Sequence, residues 1–206
     1  MHEPIRELEK WLADMEGKQP VEWDLLPDIG LYMDQVQTYI DKQLSLYRKD
    51  DQDRLLTSAM INNYIKDGMI PRADSKKYSP THLSLLIMIG TLKQVLSMQN
   101  LNRLLSSCRD PQAAASLYSR FLEIQKDALS ESSRLTRNET QLLQDTEADS
   151  CEDNETALRG LALKLSIEAR TRILIAEKIL AMVNQPEVSE ESTRQHKKSG
   201  KNEKKK

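Results

Sequence analysis

Apolar residues recur three and four positions apart along most of this chain, which predicts a succession of helices. Ile5, Leu8, Leu12 and Met15, with Trp11 beside them, predict a first helix that starts at Pro4 and stops at Gly17. Pro20 to Pro27 reads as a connector. A second helix is expected over roughly Asp28–Arg48, where Ile29, Met33, Val36, Ile40 and Leu44 form one stripe. Tyr32, Tyr39 and Tyr47 lie next to it, as the polar-tipped edge of a core would. The polar run Lys49–Asp53 breaks the pattern. Thr57 is placed to cap a short helix, Ser58–Asp67, which Gly68 stops. Ser79 and Pro80 open another, and the apolar run Leu83–Val95 predicts a largely buried middle for it. A further short helix fits Gln99–Leu105. Asp110-Pro111 then starts a helix of about five turns carrying Leu117, Phe121, Ile124 and Leu129.

Beyond it the pattern weakens. Ser130–Asn154 has few apolar residues and many Ser, Thr, Asp and Glu, and reads as a solvated linker. Thr156–Asn184 carries the longest helical signal. Leu158, Leu161, Leu165, Ala169, Ile173, Ala176, Leu180 and Val183 form one stripe. Leu163, Ile167 and Leu174 form a second, so this helix is expected to be buried on more than one side. Pro186 ends it, and a disordered Lys-rich tail is expected to follow. The chain divides accordingly into an N-terminal helix and connector (1–27), a helical domain (28–129), an acidic linker (130–154), a C-terminal helix (155–185) and a basic tail (186–206). No internal repeat is present.

Composition narrows the class. With 38% hydrophobic and 30% charged residues, six Gly and seven Pro, the chain suits an all-α protein with small cores better than a sheet-rich enzyme. It has no apolar run of bilayer length, and MHEPIRELEK lacks the apolar core of a signal peptide, so a cytoplasmic location is expected. Cys108 and Cys151 are far apart and read as ordinary thiols. His2, His82 and His196 are scattered, so neither a metal nor another cofactor is expected. With no activated nucleophile, phosphate-binding glycine loop or paired carboxylates on an ordered element, the expectation is a protein that is not an enzyme. The formal net charge of −2 decides little, but its distribution is uneven. Arg194–Lys206 carries seven Lys/Arg against Glu203, while Glu139–Glu155 is almost wholly acidic among its charges. A net acidic protein can bind DNA where its positive charge is local. The basic tail could add such affinity, though solubilising is the commoner role of such runs.

The segment Leu55–Leu105 carries the functional signal. Met60, Ile61, Tyr64 and Ile65 give the Ser58–Asp67 helix an apolar side, and Ser58, Asn62, Asn63 and Lys66 occupy the other. A DNA-reading helix needs this division: one face to anchor it, and another bearing side chains that pair with base edges, as Asn does with adenine. Thr57 would offer a hydroxyl and helix-terminal N–H groups to a phosphate. Arg72, Lys76 and Lys77, in the loop that follows, would suit phosphates flanking the groove. On spacing alone, a solvated amphipathic helix followed by a polar turn fits equally well.

Tyr64-x3-Gly68-Met69-Ile70-Pro71, then Lys76-Lys77-Tyr78-Ser79, then an apolar helix and Leu96-Ser97-Met98 through Leu105, resemble the MerR-type winged helix. That family has a tyrosine-bearing reading helix, a Gly-Leu-Ile turn, a basic wing ending in Tyr-Ser and a later helix after a Phe-Ser-like turn. More closely, LTSAMINNYIKDGMIP and LLIMIGTLKQVLS resemble a family of uncharacterised bacterial proteins known as a domain of unknown function, itself MerR-like here. The resemblance spans roughly Asp28–Leu129. It implies a MerR-like winged helix-turn-helix with flanking N-terminal helices and a long C-terminal helix. It also implies a transcriptional regulator that binds double-stranded DNA through Thr57, Ser58, Asn62, Asn63, Lys66, Arg72, Lys76 and Lys77. Asn62-Asn63 stand where the family pattern has Arg-Tyr. Lys76 takes the place of the common wing Arg, keeping the charge without the bidentate fork. Thr156–Val183 either pairs with its counterpart in a second subunit, as in MerR-like regulators, or folds back on the Asp110–Leu129 helix. A symmetric dimer would present two reading helices to a palindrome. The competing class is a helical interaction or adaptor protein that keeps the winged fold without binding DNA.

Overall fold

A computed structural model describes residues 3–48, 50, 54–106, 108, 110–145 and 151–183. Among these the chain forms seven α-helices: α1 (Glu3–Glu16), α2 (Met33–Gln43), α3 (Ser58–Lys66), α4 (Pro80–Leu92), α5 (Met98–Leu105), α6 (Pro111–Asp145) and α7 (Cys151–Val183). Short 3-10 turns occupy Trp23–Leu25 and Ser45–Tyr47. Among the described residues there is no strand beyond two isolated bridged pairs, Leu31 with Tyr78 and Asp74 with Lys77. The protein is all-α.

The core is organised around α4. Every residue from Thr81 to Gly90 is buried, because α2, α5 and α6 all pack against this helix. Val36 and Ile40 approach it from α2, Ile61 and Tyr64 belong to the same cluster from α3, and Leu101 and Leu105 from α5. At Gly90 a Cβ would run into Leu44 Cδ1, so glycine is needed for α4 to lie this close. From α6, Tyr118 enters the cluster fully buried, its hydroxyl donating to the Val21 carbonyl at 2.8 Å and its ring meeting Trp23 edge-on. One turn further along the helix than Phe121, Gln125 donates to the Tyr47 hydroxyl at 2.7 Å.

Local signals set most boundaries. The Thr57 hydroxyl accepts from the Met60 amide, and that of Ser97 from the Asn100 amide. The Asp110 carboxylate accepts from the Ala113 amide, with Pro111 opening α6. Ser79 and Pro80 open α4.

Three expectations are corrected. The second helix was expected over Asp28–Arg48, but α2 begins only at Met33 and ends at Gln43. Leu31 exchanges two backbone hydrogen bonds with Tyr78, at 3.0 and 2.8 Å, and this pairing holds the preceding chain extended. Ile29 consequently lies outside the core at 72% exposure. The solvated linker expected over 130–154 is largely helical: α6 runs unbroken to Asp145, and α7 starts at Cys151. What holds it is contact through small side chains. Ser133, Thr136 and Thr140 are buried where α6 meets α1 and α7, and Arg137 pairs with Glu16 of α1 at 2.9 Å. Thirdly, α7 is not buried on more than one side. It touches α5 and α6, with Leu161 buried and Lys164 paired to Glu139, while Leu163, Ile167 and Leu174 are exposed. Met98 and Met182 are likewise exposed, whereas Met88 lies in the core. The basic tail, 186–206, and most of the Lys49–Asp53 break lie outside the described residues.

Candidate nucleic-acid interface

The α3 helix is pinned on one side and open on the other. Ile61 and Tyr64 are buried in the core and Met60 and Ile65 half-buried against it. Asn62, Asn63 and Lys66 are exposed, as is Ala59 among them. On an ideal helix these four span an arc of roughly 100°. Ala59 was not singled out from the sequence, although its spacing of three and four from Asn62 and Asn63 was the available signal. Thr57 is also exposed.

Ser58 does not join this face. Its hydroxyl donates to Gln37 Oε1 at 3.1 Å, and Gln37 Nε2 donates to the Leu56 carbonyl at 3.3 Å. The Ser58 side chain thus ties α3 to α2.

Past Lys66 the chain turns sharply. Gly68 adopts φ +69°, and the Met69 amide returns to the Tyr64 carbonyl at 2.9 Å. Met69 and Ile70 then drop into the core and fix where the next segment leaves it. That segment holds a tight hairpin, closed by a 2.7 Å bond from the Lys77 amide to the Asp74 carbonyl. Its central residues, Ser75 and Lys76, have φ of 50° and 64°. Positive φ at both positions is what a type I′ turn demands, and a residue with a Cβ pays about 1–2 kcal/mol for it. Arg72, Lys76 and Lys77 are all exposed.

Lys77 is held more firmly than a loop lysine usually is. Its stem lies across Gly30, where a Cβ would come within 2.6 Å of the Lys77 Cβ. Its ammonium sits 5.9 Å from the centroid of the Tyr32 ring, a cation–π distance. At the base of the hairpin, Tyr78 is buried and meets His82 edge-on. His82 Nδ1 accepts from the Ser79 amide at 3.0 Å, so the ring is neutral with its proton on Nε2. Burial, opposed by the nearby Arg72 and Pro71 backbone, holds this imidazole below its ordinary pKa.

The arrangement therefore brings Asn62, Asn63 and Lys66 onto one face, puts Arg72, Lys76 and Lys77 on the segment beyond the helix, and turns Ser58 inward. Elsewhere, a cleft of about 410 Å³ between α6 and α7 mixes Leu135, Leu161 and Leu165 with Glu139, Lys164 and Arg172. Among the described residues no group of three His, Cys, Asp or Glu could hold a metal ion, and no helix is long and apolar enough to cross a membrane. Cys108 is buried in the core.

Residues 21–121 match the family described as a domain of unknown function (DUF1836). The matched residues span α2 to α5, the hairpin and the start of α6, including every residue of the candidate interface. Searches of curated proteins and of solved structures find no match.

Proposed function

We propose that this protein is a cytoplasmic, DNA-binding transcriptional regulator that uses α3 and the following hairpin as a MerR-like winged helix-turn-helix. One observation carries the reading: a short helix anchored by Ile61 and Tyr64 turns Asn62, Asn63 and Lys66 outward with Ala59 among them, and a basic hairpin follows it. Asn62 and Asn63 read base edges, and the Ala59 methyl suits contact with a thymine methyl. Thr57, Lys66, Arg72, Lys76 and Lys77 meet phosphates. Gly30 and Tyr32 keep Lys77 in a set position, which lowers the entropy lost when it engages.

The second copy needed for a two-fold operator docks through α7. Leu163, Ile167, Leu174, Ile175 and Met182 are each at least half exposed and span an arc of roughly 120° on an ideal helix. At about 1 kcal/mol for each half-exposed side chain, burying this face on two copies gains on the order of 10 kcal/mol. That gain is comparable with an association cost of about 4–15 kcal/mol. An antiparallel register can set Ile167 against Leu174 of the other copy.

A genomic-fragment binding selection tests the reading. A short site of two-fold symmetry should be enriched. Asn62→Ala and Asn63→Ala should relax specificity by about 1–3 kcal/mol per lost bidentate contact. Lys76→Ala and Lys77→Ala should weaken all sequences alike and flatten the salt dependence. Absent or salt-independent binding rejects the regulator and favours an adaptor working through α7.

A further inference from the structure

We infer that a cleft beside the amino-terminal end of α3 is a second phosphate site, which takes a backbone phosphate of the DNA strand across the major groove from the wing. The inference rests on the DNA-binding reading above and extends it to residues outside that interface.

The cleft has a volume of about 500 Å³ and is lined by Thr38, Asp41, Lys42, Ser45, Arg48 and Arg54. Among the described residues that line it, three are cations, one is a carboxylate and two are hydroxyls, with no aliphatic or aromatic side chain among them. Guanidinium forks, an ammonium and hydroxyl donors together are the chemistry that binds a phosphate.

Its position gives it a partner. Gln37, the residue before Thr38 on α2, bonds both the Leu56 carbonyl and the Ser58 hydroxyl. Arg54 lies two residues before Leu56. The cleft therefore adjoins the first turn of α3. Ser58, the point of contact with α2, is only about 40° around α3 from Asn62. The cleft thus borders the edge of the polar face. The basic hairpin follows the other end of the same helix. With nine residues, α3 is about 13 Å long, against a major groove about 12 Å wide. Cations at the two ends of a helix of that length can meet the two strands that border the groove it occupies.

The test uses the full chain and a duplex from the fragment selection, with affinity measured against salt concentration. The wild-type slope counts the phosphates engaged, at about 0.9 per contact. Arg54→Ala should lower the slope by about one contact, and Arg54→Lys should retain it. The triple variant Lys42→Ala/Arg48→Ala/Arg54→Ala should lower it further and weaken operator and random duplex by the same factor. Phosphate-ethylation interference should show contacts on both strands beside the groove for wild type, and lose those of one strand in the triple variant. Thermal melting checks that each variant is folded, and Arg54→Gln serves if the triple variant is not. If these variants keep the wild-type slope while Lys76→Ala and Lys77→Ala lower it, the second site is overturned and the regulator reading stands. If the wild-type chain binds no duplex, both are overturned together.

Discussion

Both α4 and α7 are rich in aliphatic residues, yet they end in opposite environments. In α4 ten consecutive residues are buried, with helices packed around the whole circumference. In α7, Asn154 and Leu161 are buried among the residues whose exposure is described, while Leu163 and Met182 are more than 60% exposed. The difference lies in neighbours rather than composition. The chain between residues 21 and 121 folds three helices onto α4, whereas α7 meets α5 and α6 along one side only. An apolar helix needs cover, and its own sequence does not say whether the same chain supplies it.

The largest effect is expected in α4. Leu86→Ala should cost about 2–5 kcal/mol in denaturant unfolding, since Leu86 is fully buried and its truncation leaves a cavity. The same truncation at Ile167 should fall within about 0.5 kcal/mol for the isolated subunit. Equal costs at the two positions would erase the contrast.

A smaller effect separates the two regions by pH. His82 sits in α4, and its folded pKa lies below the ordinary 6.5. Above 6.5 both folded and unfolded chains carry a neutral ring, and stability is at its full value. As pH falls below 6.5 the unfolded chain binds a proton that the folded one resists, so stability declines until the folded pKa is passed. His82→Asn should remove this part of the slope in a series of unfolding curves between pH 7.5 and about 5. A slope unchanged by the substitution would place the titrating group elsewhere.

The smallest effect on subunit folding belongs to the α7 face. Ile167→Glu with Leu174→Glu should halve the mass seen by light scattering at micromolar concentration and leave the helical signal intact. The unfolding midpoint should then stop depending on protein concentration. A wild-type monomer would remove the dimer from the proposal.

What the sequence made legible was mainly local. Thr57, Ser79-Pro80 and Asp110-Pro111 act within one turn of their own position, and the helices they open begin where they indicate. The start of α2 was hidden because it depends on Leu31 finding Tyr78, a partner far along the chain. The helix over 130–145 was hidden because Ser133, Thr136 and Thr140 pack through small size rather than hydrophobicity. At the candidate interface, helical period alone put Asn62, Asn63 and Lys66 together. The inward turn of Ser58 required knowing that Gln37 stands opposite it. Arg54 went unnoticed because it follows an acidic run, and its neighbours Thr38 and Lys42 come from α2, earlier in the chain.

The pairing of α1 with α6 also sets an order of events during synthesis. Glu16 and Arg137 are 121 residues apart in the chain. At about 5–20 residues per second, a ribosome needs roughly 6–24 s to travel between them. Over that interval Ile5, Leu12 and Met15, buried in the finished fold, have no α6 to cover them. The residues of α2 to α5 are made within that interval, so α1 is translated before them and docks on α6 after them.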